Sequence, residues 1–371
     1  MSMFYMPVKV YEEENAVLRH AADLAKFGKK ALIVTGCRSA FANGSYDDIA
    51  AALDGVGVEH VVFNEVEENP SVNTIMKARD FGTTNGVDFV IGVGGGSPLD
   101  ASKAIALMIK KADKDASYLY KPDGDSVTLP VVAVPTTCGT GSEVTAVSVL
   151  TDTDKMVKKS IPHKIFADLA LIDGKYLKAA PKHVLSNTIF DALTHLIESY
   201  LNSKATPYSR MCVDAGLKMW AKSVDILRGE RETDDADRLN MMRASMMAGM
   251  AIAHTATTLP HGLSYAVTTK LHVPHGKATA YFTAGYLAEA PKEDREYLLY
   301  AAGFVSLADF QNVYHAACGT IDAPREEICA VLGGAVEERA GNPVKMALAP
   351  FAVDREMLRR IAYYELDSAV E

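Results

Sequence analysis

The sequence predicts an α/β domain followed by an all-α domain, and three observations support this division. Short runs that are apolar at every position alternate with amphipathic segments up to about residue 175, which is typical of a parallel sheet covered by helices on both faces. From about residue 180, long segments with a 3.6-residue period replace these runs. The chain has 371 residues, which exceeds the size at which a single core usually keeps growing. We therefore expect domains at residues 1–178 and 179–371.

The individual elements follow from the same patterns, taken in chain order. Buried strands are expected at residues 31–34, 61–63, 89–93 and 131–134, with a further strand at 144–150 and a turn at 151–154. Between the strands, helices are expected at residues 46–55, 71–85 and 98–111. The second domain is expected to contain helices at 187–202, 207–228 and 236–256, with proline-marked breaks near 204–207, 259–261 and 271–275.

Composition excludes several classes of function. A net charge of −9 and the lack of a Lys/Arg cluster argue against a nucleic-acid partner and against binding to acidic membranes. No window approaches about 18 uninterrupted apolar residues, and the first residues lack a basic region before an apolar stretch. Five scattered cysteines fit reduced thiols. We expect a cytoplasmic protein that acts on a small molecule.

A glycine-rich turn joins a predicted strand to a predicted helix. Gly94, Gly95 and Gly96 follow the apolar run at 89–93, and Ser97 and Pro98 are suited to the N-cap and the first position of a helix. Bare backbone N–H groups at a positive helix end favour a pyrophosphate. The spacing matches neither G-x-G-x-x-G nor a Walker loop, and a tight turn without a ligand is the alternative.

Four residues of the second half form a candidate metal site. Asp191 and His195 lie four residues apart on a predicted helix, so both side chains project from one face, although such a pair is usually a simple hydrogen bond. His261 and His275 each stand between a proline and a glycine, which places them at helix ends. One carboxylate with three imidazoles suits Fe(II) or Zn(II) and leaves room for a substrate oxygen. His254 and His272 are interpreted as hydrogen-bonded or cleft-lining residues.

The ordered motifs resemble the iron-containing (group III) alcohol dehydrogenase family, which has a dehydroquinate-synthase-like fold. The resemblance runs nearly end to end, over segments 68–70, 94–100, 135–143 and 191–195 and both Pro-His-Gly segments. It implies an α/β nucleotide-binding domain, an all-α metal-binding domain and a homodimer formed through the first strand. It also implies hydride transfer between a nicotinamide cofactor and a small alcohol or diol, or the matching aldehyde or ketone.

The resemblance also implies roles for individual residues. The metal ligands fall on Asp191, His195, His261 and His275, and Fe(II) is expected, with Zn(II) as the alternative. The dinucleotide contacts fall on the glycine turn and on a second glycine-rich loop at 135–143: Gly94, Gly95, Gly96, Ser97, Asp100, Thr136, Thr137 and Ser142, with Lys158 or Lys159 beside the ribose. Cys138 is given no catalytic role.

Two positions depart from the commonest pattern of that family. Where many members carry an aspartate after the first strand of the sheet, this chain has Gly36, so nothing acidic there would repel a 2′-phosphate. Arg38 and Ser39 could bind that phosphate, which predicts NADP(H) rather than NAD(H). Four residues after His261 many members carry another histidine, whereas this chain has Tyr265. Tyr265 is expected to shape the pocket or to donate a hydrogen bond there, and simple packing of its helix is the alternative.

Other functions remain open from the sequence. A zinc-type polyol dehydrogenase or a dehydroquinate-synthase-like lyase would share the fold and the cofactors. The presence of His195 on the Asp191 helix and the scarcity of basic groups for a phosphorylated substrate favour the alcohol dehydrogenase. A non-catalytic cofactor-binding protein is the alternative outside enzymes.

Overall fold

The protein is described here from a computed structural model that covers residues 3–152 and 157–368. Its residues form two compact units, each with its own core. The first spans Met6–Ala180, and the second starts at Pro181 and includes the described residues that precede Met6. None of the helices in these two ranges is both long enough and apolar enough to span a membrane.

The first unit is built on a parallel sheet. The strands, β1 to β8 in chain order, are Lys9–Glu12, Lys30–Thr35, Glu59–Phe63, Phe89–Gly94, Val131–Pro135, Val149–Asp152, Val157–Ser160 and Leu169–Ile172. Six of them form one sheet in the order β1-β8-β5-β4-β2-β3, and all of its pairings are parallel. Because β3 lies on one side of β2 and β4 on the other, the strand order reverses there, and the carboxyl edge at such a point is where α/β sheets bind ligands.

Six helices accompany this sheet. In chain order α1 to α6 are Ala16–Arg19, Ala21–Leu24, Ser39–Ala42, Ser45–Gly55, Val72–Asn85 and Gly96–Lys110. Ser71 caps α5 by accepting a hydrogen bond from the N–H of Thr74, and Gly86 ends the helix in the left-handed region with φ of 63°. The strands at 31–34, 61–63, 89–93 and 131–134 and the helices at 46–55, 71–85 and 98–111 are all present within two residues of the predicted bounds.

The strand expected at 144–150 is wrong over most of its length. A 3₁₀ turn occupies Ser142–Val144, and a strand begins only at Val149, where β6 pairs with β7 as an antiparallel hairpin. The polar groups before it bond to two different segments. Ser148 Oγ donates to the carbonyl of Asp100 on α6 (2.7 Å), and the carbonyls of Ala146 and Ser148 accept the N–H groups of Ile165 and Ile161. The turn expected at 151–154 is also wrong at its first two residues, because they belong to β6, while residues 153 and 154 lie outside the described residues.

The second unit is helical, as predicted. In chain order α7 to α17 are Lys182–Tyr200, Pro207–Trp220, Val224–Arg228, Asp235–Thr255, Leu259–Lys270, His275–Glu289, Lys292–Ala301, Leu307–Cys318, Arg325–Ala340, Pro343–Met346 and Arg355–Ser368. The helix predicted at 207–228 is divided into α8 and α9 by a 3₁₀ turn at Ala221–Ser223. Capping boxes at Thr206 and Asp234 begin α8 and α10.

Helix α7 is the centre of the second unit. Nearly every side chain from Ser186 to Ser199 is buried, because α8, α10 and α12 all pack around it. The indole N–H of Trp220, the last residue of α8, donates to the carbonyl of Ile189 on α7 (2.6 Å). A helix so enclosed can carry polar side chains only where they have partners.

Candidate metal centre and nucleotide turn

Three polar residues follow one face of α7. Asp191 and His195 are 3% and 5% exposed, and Glu198 one turn further along is fully buried. Their spacing of four and three residues places them one above another on the helix. Glu198 was missed in the sequence analysis, although its spacing from His195 was a visible signal.

His261 and His275 lie in the first turns of α11 and α12, as their Pro-His-Gly segments predict. Each proline stands where a helix tolerates a missing N–H. The second glycine has a packing role: a Cβ at Gly276 would overlap the carbonyl of Asn187 and lie 3.0 Å from the Cβ of Asp191. Because position 276 carries no side chain, the start of α12 approaches α7 closely enough to bring His275 to Asp191.

The structure brings together three of the four predicted ligands. Asp191, His261 and His275 each offer an atom within 4.8 Å of the others. Asp191 Oδ1 lies 3.4 Å from His261 Nε2 and 4.0 Å from His275 Nε2, and it accepts a hydrogen bond from Thr279 Oγ1 (3.2 Å). His195 is not in this group, but its ring stacks on that of His261 with centroids 4.2 Å apart.

The electrostatics of this cluster favour a cation. Burial tends to raise the pKa of Asp191, but His195, His275 and His261 outweigh burial and hold it well below the usual range. Burial tends to lower the pKa of His261, yet Glu198 and Asp191 raise it to about 10. Two buried carboxylates thus demand positive charge between them, which a divalent ion supplies.

The donor set fits such an ion. Neither ring nitrogen of buried His261 makes an aligned hydrogen bond within the described residues, although Glu198 Oε2 lies 3.0 Å from Nδ1. A metal-binding imidazole commonly has its other ring nitrogen held by a carboxylate, and His261 has Glu198 in that position while its second nitrogen faces Asp191. Glu198 itself accepts the backbone N–H groups of Thr258 (2.8 Å) and His261 (2.7 Å), which fixes the start of α11.

The two competing histidines and Tyr265 occupy different settings. His254 Nδ1 lies 2.7 Å from the carbonyl of Met250, its Nε2 accepts the N–H of Tyr5 (3.1 Å) and its ring stacks on Phe4. His272 precedes α12 with a left-handed φ of 54°.

Tyr265 is 42% exposed, and its ring stacks on that of His275 with the ring centroids 6.0 Å apart, so it lies at the metal cluster rather than only packing α11.

The glycine turn lies at the carboxyl edge of the sheet. Gly94 is opposite Pro135 in the register of β4 and β5, and the N–H of Thr136 donates to the carbonyl of Gly94 (2.9 Å). A Cβ at Gly95 would lie 3.1 Å from Thr137 Oγ1, and one at Gly96 would lie 2.8 Å from Thr140 Cγ2. A side chain at either of these glycines would therefore crowd the loop that carries Thr137 and Thr140, which packs closely on this turn.

Helix α6 begins earlier than predicted. Its N-cap is Gly95 and not Ser97, whose hydroxyl accepts the N–H of Asn69 (3.0 Å). The N-cap prediction was therefore wrong, because the backbone of the 68–70 loop takes the serine oxygen. The first N–H groups of α6 still have no intrahelical acceptor, as an anion site requires.

Behind the turn lies a buried polar network. Asp100 Oδ1 accepts from Ser142 Oγ (2.5 Å), and its Oδ2 accepts the N–H of Val149 (2.8 Å). Lys103, only 1% exposed, donates to the carbonyl (2.7 Å) and the hydroxyl (2.8 Å) of Ser142 and lies 3.6 Å from Asp100. Asp100 and Ser142 thus satisfy each other. Sequence reasoning missed Lys103, which resembles any helical lysine.

The remaining predicted contacts lie on two nearby segments of the same unit. Gly36 follows β2, and Arg38 and Ser39 after it are exposed. The β6–β7 hairpin places Lys158 opposite Thr151, whose hydroxyl donates a hydrogen bond to the carbonyl of Asn69 in the 68–70 loop. Burial lowers the pKa of Lys158, and nearby Glu68 offsets only part of this effect. Lys159 points the other way, over the ring of Tyr120.

Comparison with known proteins supplies the family. Residues 7–174 match the family described as iron-containing alcohol dehydrogenase, and residues 186–323 match its C-terminal family. The whole chain superposes on a crystal structure of an iron-containing alcohol dehydrogenase with a TM-score of 0.89, 34% identity and 99% coverage of both chains. A second such enzyme, from Thermotoga maritima, gives a TM-score of 0.88 at 34% identity, covering 99% of this chain and 100% of that one.

Curated relatives of the chain point to the same family. The chain is 39% identical to the probable alcohol dehydrogenase EutG of Salmonella typhimurium over 52% of its own length, and it spans about half (49%) of that protein. It is 30% identical to the sulfoacetaldehyde reductase of Bilophila wadsworthia, covering 77% of this chain and 75% of that one. The sheet and the helical unit define the dehydroquinate-synthase-like fold. Within that fold, the chain belongs to the iron-containing alcohol dehydrogenase family.

Proposed function

We propose that this protein is a metal-dependent NAD(P)(H) oxidoreductase that interconverts small alcohols or diols with aldehydes or ketones. The observation that carries the proposal is the group of buried Asp191, buried His261 and half-buried His275 within 4.8 Å of one another. His195, stacked on His261, completes the ligand set that the family resemblance implies. A divalent ion held there supplies Lewis acidity, and the nicotinamide carries the hydride.

The residues of this chain have distinct tasks in that chemistry. Asp191 and the three histidines would hold Fe(II) or Zn(II), and Glu198 orients His261 and neutralises the positive charge of the site. Tyr265 borders His275 and shapes the substrate side. In the other unit, the N-terminal N–H groups of α6 would bind the pyrophosphate, while Asp100 and Ser142 hold the loop beside it.

Metal loading tests this proposal most directly. Asp191→Asn keeps the shape of the side chain and removes its charge, so we expect Zn(II) affinity to fall at least tenfold by calorimetry and metal-dependent turnover of small alcohols to disappear. Asp235→Asn, on a side chain that is 82% exposed, is the matched control and should bind metal like the wild type. Unchanged metal binding by Asp191→Asn would refute the assignment.

The same proposal includes a preference for NADP(H). It is supported by the lack of an acidic group at Gly36 and by exposed Arg38 and Ser39 just beyond β2. A relative named NADPH-dependent butanol dehydrogenase is 29% identical to this chain, whereas a sulfoacetaldehyde reductase structure was solved with NAD+. We expect a higher kcat/KM with NADPH than with NADH. Gly36→Asp should reverse this order while Gly36→Asn, of equal size, should not.

Two further expectations belong to this proposal. The protein acts as a cytoplasmic homodimer, formed through β1, which is an edge strand of the sheet and pairs on one side only among the described strands. Light scattering on the purified protein would test this assembly. The lyase and the non-catalytic alternatives predict no alcohol-dependent change in nicotinamide absorbance with any metal.

A further inference from the structure

Arg339, in the last turn of α15, packs against the helix that carries His261. A Cβ at Gly262 would overlap its guanidinium carbon and would lie 2.6 Å from its Nε. The guanidinium therefore occupies the space left by the missing side chain of Gly262. Because Gly262 directly follows His261, and consecutive Cα atoms are about 3.8 Å apart, this charge lies beside the candidate metal centre.

The guanidinium lies near Tyr265, a neighbour of that centre. Positions 262 and 265 are three residues apart on α11 and share a face. Tyr265 on this face is close enough to Arg339 to influence its pKa, and its ring stacks on His275, whose side chain is 33% exposed. Fully buried Glu198 also acts on the pKa of Arg339, so the guanidinium lies near Glu198 as well. Arg339 thus lies beside the candidate metal centre, within reach of the tyrosine that borders its more exposed histidine.

Arg339 also lacks a complete set of partners. Its Nε is buried and makes no hydrogen bond to any of the described residues. Burial lowers the pKa of the guanidinium, yet an arginine stays protonated in a protein. A buried donor left unpaired is costly, so this nitrogen is available to a further acceptor.

The neighbouring acids do not remove this need. Glu198 already accepts two backbone N–H groups, from Thr258 and His261, and lies 3.0 Å from His261 Nδ1. With a divalent ion bound, the charges of Asp191 and Glu198 are balanced by the metal. The positive charge of Arg339 then remains for a ligand.

We propose that Arg339 is a specificity-determining residue that binds an anionic group of the substrate, so that the preferred substrates are short alcohols and aldehydes bearing a carboxylate, sulfonate or phosphonate at the far end. This inference rests on the proposed function and names its substrate class. The planar guanidinium suits such groups because it offers paired donors to their oxygens.

The test compares acids with their neutral isosteres. Wild-type protein loaded with Zn(II) or Fe(II) is assayed with ω-hydroxycarboxylates of two to five carbons and with the corresponding hydroxyamides, using NADP+ and NAD+. At the best chain length, we expect kcat/KM for the acid to exceed that for the amide by about 10- to 100-fold, as one charge-assisted hydrogen bond provides. Arg339→Met should abolish that ratio, and Arg339→Lys should restore part of it.

Two further variants separate specificity from folding. Gly262→Ala keeps every charge but displaces the guanidinium, so it should lower the acid-to-amide ratio as Arg339→Met does. Arg325→Met, at the exposed start of the same helix and roughly 20 Å away along its axis, removes an equal charge and should leave the ratio unchanged. An equal ratio in wild type and Arg339→Met would overturn the inference.

Binding without turnover provides an independent measurement. Calorimetry of the Zn(II)-loaded protein with butyrate and butyramide should show tighter binding of the acid in the wild type, and this difference should be lost in Arg339→Met. If neutral alcohols are oxidised but acids are not preferred, the inference fails and the proposed function stands. If no alcohol is oxidised yet butyrate binds through Arg339, the proposed function fails and the anion site stands.

Discussion

Lys103→Met tests the buried network behind the nucleotide turn. The ammonium donates to the carbonyl and hydroxyl of Ser142 and to the carbonyl of Val147 (2.9 Å), and it lies 3.6 Å from Asp100. Methionine fills a similar volume but leaves two buried carbonyls and the carboxyls of Asp100 and Glu143 without a cation. Removing one partner of a buried ion pair costs about 3–5 kcal/mol, and the better burial of methionine recovers about 1 kcal/mol. We expect unfolding of this unit to become easier by about 2–4 kcal/mol.

Urea unfolding followed by far-ultraviolet circular dichroism measures this loss. Lys110→Met on the exposed end of α6 is the matched control and should change the free energy of unfolding by less than about 0.5 kcal/mol. The fluorescence of Trp220, the single tryptophan of the chain and a member of the other unit, checks that α7 and α8 keep their native packing. A loss in Lys103→Met below about 1 kcal/mol, or equal to that of Lys110→Met, would refute the reasoning. Dinucleotide affinity should fall with stability, because the loop held by Lys103 packs on the glycine turn.

Three further outcomes follow from the buried groups. Burial raises the pKa of Glu143 from 4.5 to about 7, so its contribution to stability is present below pH 4.5 and is lost as the pH rises through 7. Glu143→Gln should therefore gain up to about 3 kcal/mol relative to wild type between pH 4.5 and 8, whereas parallel stability curves would contradict this. Gly276→Ala should push α12 away from α7, lower the free energy of unfolding by about 1–3 kcal/mol and weaken Zn(II) binding. The control Gly333→Ala, where a Cβ would meet only an ordinary contact at 3.5 Å, should be neutral or slightly stabilising. Equal effects of the two substitutions would argue against the close approach of α12 to α7 as the reason for Gly276. Glu198→Gln should weaken Zn(II) binding about 10- to 100-fold in calorimetry by releasing His261, and wild-type affinity would show that Glu198 serves only to fix α11.

The sequence sufficed for the elements whose signal is local. The strands at 31–34 and 89–93 are defined by their own apolar runs and most of helix α7 by its own periodicity, so none of the three required knowledge of a neighbour, although α7 begins five residues earlier than predicted. The region 144–150 resembles a strand by composition. It forms one only from Val149, where Lys103 on α6 donates to the carbonyl of Val147 and Asp100 on the same helix accepts the N–H of Val149. Propensity cannot reveal a partner that lies about forty residues earlier in the chain.

Buried charged residues also cannot be predicted from local sequence, because their partners are distant in the chain. Lys103 and Glu198 sit in helices where an alternating polar pattern is ordinary, and both are almost completely buried. Their partners come from a loop or a helix start distant in sequence, at Ser142 and His261. A periodic pattern identifies which face of a helix is apolar, but it does not distinguish a solvated charge from a paired one.

In the two Pro-His-Gly segments, the role of the histidine can be predicted from the sequence, whereas the role of the glycine is explained only by the structure. The histidines were assigned as ligands because their neighbours exclude a solvated helix face. The glycines have separate reasons, since Gly276 admits the backbone of α7 and Gly262 admits the guanidinium of Arg339. One glycine therefore fixes the geometry of the metal cluster, and the other brings a cation beside it. If the proposed anion preference is correct, Gly262 influences substrate specificity by leaving space for the guanidinium of Arg339. Gly262→Ala should then alter specificity without altering the set of metal ligands.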